Sequence, residues 1–316
     1  MSSLLSETVE AVRIECQRQM RVSGLPQSIL DSISDTETGN LFKGHPLTLT
    51  ALPLVAYEAV SGRPAGDVVS AGAAMEFLLT AGDILDDLQD GAHQAHDLSG
   101  PGAVLFSTRQ AELVVALLLL SEQAMLSFDG SLIPYERAAQ AAKLFCDLKV
   151  KAFAGQVDEV HEIEPGPDDP AHSLEVVQKK SGNLGKAAGA IGAALGTSDI
   201  SRMQLAAEFG ERLGIICQLN NDIADLWPTG GKLEDLAAGK STLPVAFANA
   251  LGGAPLSGVS NGAPDLSAVR DHVFESGGIH FTYVHIAVQL VKAGGIARQI
   301  EQTNPRSRLS ELLEIR

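Results

Sequence analysis

Apolar residues recur every three or four positions along most of this chain. The runs span 4–20, 47–60, 66–90, 102–127, 134–163, 173–196, 201–227, 242–250, 266–276 and 280–302. This is the period of a helix with one buried face, and the two-residue alternation of a half-buried strand is almost absent. Breakers fall between the runs: "SGRPAG" at 61–66, "LSGPG" at 98–102, "EPGPDDP" at 164–170, "PTGG" at 228–231 and "GGAPLSGVSNGAP" at 252–264. Connections this short suit antiparallel neighbouring helices. The pattern predicts an all-α bundle of about ten helices. With no internal repeat and no long polar linker, residues 1–316 read as a single domain.

Composition narrows the function. A hydrophobic content of 45% over 316 residues supplies a large core. The formal charge of −16 argues against nucleic acid, whose binding needs a basic face, and against docking on an anionic membrane. No apolar run spans a bilayer without a Gly or a charge in it. The N-terminal "MSSLLSETVEAVRIECQRQM" reads as an acidic amphipathic helix rather than a signal peptide. Cys16, Cys146 and Cys217 are scattered and odd in number, which points to a reducing, cytoplasmic setting without a disulfide framework.

Against this background "GDILDDLQD", residues 82–90, stands out. Asp83, Asp86, Asp87 and Asp90 follow the apolar "AAMEFLLTA" and lie three or four apart, so on a helix they form four repulsive pairs costing roughly 1–2 kcal/mol in sum. Their place near the C-terminal end of the helix adds a dipole penalty. A solvated acidic helix end is one reading. The other is a site for hard cations: Asp86 and Asp90, one turn apart, suit Mg²⁺, which takes carboxylate oxygens together with substrate phosphates. A second segment, "CQLNNDIADLW" at 217–227, again puts oxygen ligands on one face of an apolar helix, with Asn221 four and Asp222 three residues before Asp225. Alone it is a weak signal. The later "AGKSTLP" is too short for a phosphate-binding Walker loop.

In this order and spacing the segments resemble the polyprenyl synthetase family of trans-isoprenyl diphosphate synthases, over nearly the whole chain. "EFLLTAGDILDDLQD" is similar to the first aspartate-rich helix, with Asp86, Asp87 and Asp90 as its DDxxD. "FGERLGIICQLNNDIADL" is similar to the second, with Gln218 matching and Asn221 in place of an Asp. "QKKSGNL" supplies Lys180 and Ser181, "AGKSTLP" supplies Lys240, and "FAGQVDE" supplies Gln156. The resemblance implies an isoprenoid synthase bundle whose two acidic helices face each other across a deep apolar pocket. It implies three Mg²⁺ ions bridging Asp86, Asp87, Asp90, Asn221, Asp222 and Asp225 to the diphosphate of an allylic prenyl substrate. Lys180, Lys240 and Lys232 are the cations that would meet the departing charge, and a homodimer is expected, with "LVVALLLL" in 102–127 as a suitable face.

The chain departs from the family where a second diphosphate, that of isopentenyl diphosphate, would bind. In "LFKGHP" the family's Lys is Phe42 and its Arg before Pro is His45, with Lys43 at the other Arg position; the His of the first acidic helix is Leu79. An Arg pair after the first motif is missing, with no Arg between Asp90 and Arg109, although His93 and His96 lie there. A neutral His45 is a weak substitute for a guanidinium. The expected reading is therefore a terpene synthase that converts one allylic diphosphate. The alternatives are a trans-prenyltransferase, elongating or using another acceptor, and a non-catalytic partner subunit. Low aromatic content, 4%, speaks against a cyclase; Phe77, Phe145, Phe153, Phe209 and Trp227 are candidate walls or simply core. Ala81 and Gly82 imply a pocket deep enough for a C20 chain. Asp83 either steers or deprotonates a carbocation, or pairs with a neighbouring helix.

Overall fold

The computed structural model describes residues 3–34, 39–94, 101–161, 169–227, 241–252 and 266–314. Each predicted apolar run becomes helix. The order is α1 (Ser3–Val22), α2 (Gln27–Ile33), α3 (Leu47–Ser61), α4 (Val69–Gln94), α5 (Pro101–Met125), α6 (Tyr135–His161), α7 (Pro170–Val177), α8 (Asn183–Gly196), α9 (Ile200–Ala224), α10 (Leu243–Ala250), α11 (Leu266–Glu275) and α12 (Gly278–Glu301). No strand occurs among the described residues. Local chemistry sets several ends. Asp169 and Asp199 accept the first free backbone N–H groups of α7 and α9, and Gly62, left-handed at φ 69°, stops α3.

Two features escaped the periodic pattern. Helix α2, with Ile29, Leu30 and Ile33 in only 7 residues, is too short for a repeating period to register. The run at 173–196 is not one helix, because a π turn at Gln178–Gly182 separates α7 from α8. A π turn absorbs a single residue while the apolar faces on either side keep their period, so a windowed pattern does not detect it.

Helix α8 crosses the centre, packed on α9, α3 and α6. The approach to α9 and α3 is at backbone distance. A Cβ built on Gly185 would lie 2.1 Å from the Gly210 carbonyl oxygen, one on Gly189 2.2 Å from that of Ala206, and one on Gly192 2.1 Å from that of Pro53. Only glycine permits this contact, and Gly214 of α9, whose added Cβ would lie 2.0 Å from the Ser181 carbonyl oxygen, holds the π turn against α9 in the same way. One apolar core, including Leu52, Phe77, Leu117, Leu195 and Phe209, fills the space among α1, α3, α4, α5, α8 and α9. A second lies under α9, α10, α11 and α12. The segment Ala65–Leu88 passes a length and composition test for a membrane span, but 78% of its apolar window is buried inside the fold, as befits a core helix.

Candidate active site

Two neighbouring residues of the π turn reach toward the two acidic helices. Lys180 Nζ lies 3.6 Å from Asp86 Oδ2 on α4. Ser181 Oγ donates to Gln218 Oε1 at 2.7 Å, and Gln218 Nε2 donates to Asp222 Oδ1 at 2.9 Å, both on α9. The predicted Lys180, Ser181, Gln218, Asp86 and Asp222 are thus brought together by a turn that the periodic pattern hid. π turns of this kind recur at functional sites because they re-aim successive side chains. Asp222 is only 3% exposed, so its orientation is set by Gln218, whereas Asp86 and Lys180 are partly open to solvent.

The remaining candidates divide by position. Asp87 is exposed on α4, one residue beyond Asp86. Asn221 is exposed on α9, and Asp225 caps that helix, its N–H bonded to the Asn221 carbonyl. Asp90 and His93 lie on α4 and Gln156 on α6, with side chains outside the described residues. Lys232, Lys240 and His96 also lie outside the described residues. Among the described residues, no three His, Cys, Asp or Glu side chains converge tightly enough to hold a metal unaided. That arrangement still fits Mg²⁺, which is usually held by one or two carboxylates plus the phosphates it bridges, and all the side-chain donors are hard oxygens.

The departures found in the sequence take on a structure of their own. His45 is buried, with 4% of its side chain exposed, between two carboxylates. Its Nδ1 is 2.6 Å from Asp83 Oδ2 and its Nε2 3.0 Å from Glu76 Oε2. Glu76 is fully buried on α4 and also accepts from Thr50 Oγ1 at 2.7 Å and from the Phe42 N–H at 2.5 Å. Burial pushes the His45 pKa down. The hydrogen bonds to Asp83 and then Glu76 push harder the other way, and the outcome is a pKa raised to about 9. His45 is therefore a cation at neutral pH, which corrects the neutral histidine expected from its residue type. Both of its N–H groups are consumed within the protein, so it offers none to a ligand.

The loop before α3 is shaped around this cluster. Phe42 adopts φ 61°, unusual for a bulky residue, and its ring lies 4.5 Å under the Arg13 guanidinium. Gly44, at φ 78°, passes so close to Asp83 that a Cβ there would sit 2.8 Å from its Oδ2. Leu79 is 7% exposed, in the main core. The sequence reasoning missed Glu76. Its signal was present: a lone Glu inside "AAMEFLLTA" is a buried charge and requires a partner.

The aromatic candidates divide between core and surface. Phe77, Phe145 and Phe209 are core residues at 0%, 2% and 0% exposure, while Phe153 and Trp227 are exposed. Ala81 is buried, and a Cβ on Gly82 would meet open space. A shallow pocket of about 260 Å³ between α9 and α12, lined by Ile216, Tyr283, Ile286 and Leu290, opens on the opposite face of α9 from Gln218 and Asp222. It is no part of this site.

The polyprenyl synthetase family model matches residues 48–253, which contain α4, the π turn and α9. The chain belongs to the polyprenyl synthetase family. A short chain isoprenyl diphosphate synthase of Methanothermobacter thermautotrophicus is 27% identical over 239 residues, covering 69% of this chain and 70% of the relative. A dimethylallyltranstransferase of Mycobacterium tuberculosis is 27% identical over 162 residues, covering 50% of this chain and 44% of the relative. The crystal structure of a polyprenyl synthetase from Streptomyces coelicolor A3(2) superposes with a TM-score of 0.78 at 20% identity, covering 99% of this chain and 98% of that one. The isoprenoid synthase fold expected of this family member is thereby confirmed. None of these relatives is named as a terpene synthase, so the reading placed first in the sequence gains no support and its prenyltransferase alternative fits better.

Proposed function

We propose that this protein is a trans-prenyltransferase that ionises an allylic prenyl diphosphate and joins the resulting cation to an acceptor. The carrying observation is the π turn, whose Lys180 pairs with Asp86 on α4 and whose Ser181 leads through Gln218 to Asp222 on α9. A leaving diphosphate placed there meets a cation and the oxygen donors of both helices. The names of the two relatives, a short chain isoprenyl diphosphate synthase and a dimethylallyltranstransferase, support the same class.

In this reading Asp86, Asp87 and Asp90 on one helix and Asn221, Asp222 and Asp225 on the other would hold Mg²⁺, three ions in all. Bound there, Mg²⁺ supplies charge neutralisation at the departing diphosphate. Lys180 adds its ammonium on the same side, and Lys232 and Lys240 are the further cations. Gln218 holds the Asp222 carboxylate in one orientation, so less reorganisation is needed as charge develops. The apolar residues of α4 N-terminal to the carboxylates hold the carbon chain away from water. Ala81 and Gly82 leave room consistent with a C20 chain. We infer a cytoplasmic enzyme of one domain over 1–316, acting as a homodimer. The supporting feature for the dimer is the apolar face of α5 and α6, where Val115, Leu119, Val150 and Phe153 are each more than half exposed.

One observation favours a second reading, the terpene synthase. Phe42 is packed under Arg13, both His45 N–H groups are used within the protein, and Leu79 is buried. Of the positions expected to hold isopentenyl diphosphate, Phe42 and Leu79 carry no charge and His45 has no N–H left for a ligand, so only Lys43 retains a cation that could face one. The test supplies labelled isopentenyl diphosphate and Mg²⁺ with geranyl, farnesyl and geranylgeranyl diphosphates in turn. Label in a longer chain is the expected result. A hydrocarbon or alcohol from the allylic diphosphate alone would favour the terpene synthase. Diphosphate release from none of them would overturn both readings and leave the partner subunit.

A further inference from the structure

Glu211, Gln218 and Asp222 lie seven and four residues apart on the face of α9 that meets the π turn, a span of about 16 Å. Glu211, at the end away from Asp222, is a carboxylate only 8% exposed, and both of its oxygens are engaged. Oε1 accepts from Gln178 Nε2 at 3.0 Å, and Oε2 pairs with Lys186 Nζ at 3.1 Å. Gln178 is the first residue of the π turn, and Lys186 lies in the first turn of α8 beyond it. Glu211 therefore grips the chain on both sides of the turn. Burial raises its pKa, but Lys186 and Gln178 lower it by more, and the outcome lies below the ordinary glutamate value. A buried ion pair is a poor source of stability, since apolar packing in its place is often as good or better. Stability alone does not account for a carboxylate here.

We propose that Glu211 is a positioning residue for the diphosphate end of the site: by clamping Gln178 and Lys186 it holds the π turn in the register that aims Lys180 at Asp86 and Ser181 at Gln218. This rests on the reading that the chain ionises an allylic diphosphate. A π turn is a rare departure from the helical register and needs a hold from outside. Here the Asn183 N–H reaches five residues back to the Gln178 carbonyl, and the Asn183 side chain donates to the Lys179 carbonyl at 2.9 Å. A return to the α register would turn the side chains on one side of the turn by about 100° relative to the other. The two lysines show what depends on it: Lys179 pairs with the exposed Glu175 at 2.6 Å, while Lys180 reaches Asp86. A slip would take Lys180 off Asp86 and Ser181 off Gln218, and Asp222 would lose the hydrogen-bond chain that orients it. Gly210 and Gly214, on either side of Glu211, bring backbone against backbone at Gly185 and Ser181. That fit sets how close α9 lies to the turn, and Glu211 sets the register. Glu211 touches no substrate and acts through the turn.

The test pairs binding with turnover in the full chain. Inorganic diphosphate with Mg²⁺ is titrated by calorimetry, and diphosphate release is measured with Mg²⁺, isopentenyl diphosphate and geranyl, farnesyl or geranylgeranyl diphosphate. In Glu211→Ala the affinity for Mg²⁺-diphosphate and kcat should each fall about tenfold or more, while KM for isopentenyl diphosphate changes by less than about threefold. Gln178→Ala should act in the same direction, and the double variant should be no more than about threefold worse than Glu211→Ala, because both changes release one clamp. Glu211→Gln keeps an acceptor for Gln178 and gives up the charge facing Lys186, so it should fall between wild type and Glu211→Ala. Asn304→Ala, which removes two hydrogen bonds to the end of α3 and touches none of these residues, is the control for lost stability: it should lower the Tm and leave affinity and kcat alone. Should Glu211→Ala fail to fold, Glu211→Gln and Gln178→Ala decide. Unchanged diphosphate affinity in the folded variants, or an equal loss in Asn304→Ala, overturns the proposal and spares the prenyltransferase reading. A wild type that binds Mg²⁺-diphosphate but releases none from any substrate overturns that reading, and the affinities then decide the role of Glu211. A wild type that binds no Mg²⁺-diphosphate overturns both.

Discussion

Raising the pH from 6 to 9 should remove a stabilising charge from the centre of this fold. The folded pKa of His45 is about 9, against 6.5 for an unperturbed histidine. A pKa raised by folding stabilises the protonated protein, so the contribution is complete below pH 6.5 and is lost as the pH climbs through 9. At 1.36 kcal/mol per pH unit, the difference between the two pKa values is worth roughly 3 kcal/mol. An unfolding entropy of about 2.1 cal/mol/K per residue gives roughly 0.7 kcal/mol/K for the whole chain, so the loss corresponds to a fall in Tm of about 4–5 °C. The assay is thermal unfolding of wild type and His45→Gln at fixed protein concentration between pH 6 and 9. The variant cannot titrate at this position, so the stability difference between the two proteins should shrink across the window by about the stated amount. Parallel curves, with a difference independent of pH, would mean that His45 is not held as a cation between Asp83 and Glu76, and the electrostatic account of the cluster would fall with it.

Asp86→Ala and Asp222→Ala should each abolish Mg²⁺-dependent diphosphate release, but their stabilities should diverge: Asp86→Ala relieves helical repulsion worth a few tenths of a kcal/mol, whereas Asp222→Ala deprives the half-buried Gln218 amide of its acceptor and costs about 1 kcal/mol, so equal shifts in denaturant midpoint would contradict the geometry. Gly189→Ala places a Cβ 2.2 Å from a backbone carbonyl and should lose roughly 1–3 kcal/mol, while Gly295→Ala in α12, which meets nothing within 4 Å, should gain about 0.5–1 kcal/mol; urea unfolding of the pair checks the sign. Leu119→Glu, on the exposed face of α5, should turn a homodimer into a monomer by light scattering, and a wild type already monomeric at micromolar concentration would remove the dimer proposal.

The chain's own pattern determined the fold class, the extent of the long helices and the two acidic faces. Each depends on neighbours three or four residues apart, so a linear reading contains the physics. Asp83, Asp86 and Asp87 share a face because of helical spacing alone, and Asn221, Asp222 and Asp225 do so for the same reason. Tertiary structure decided what those faces meet. Phe77 and Phe209 turned from candidate pocket walls into core, because apolar spacing tells which residues are buried and not against which partner. The joining of Lys180 to Asp86 and of Ser181 to Gln218 depends on the π turn at Gln178–Gly182 and on glycines that let α8 touch α9. The charge of His45 was beyond local reading altogether. Its partners lie 31 and 38 residues away, on a helix that reaches it only after the bundle has closed, and the low dielectric of that closed interior makes their carboxylates strong enough to hold the proton.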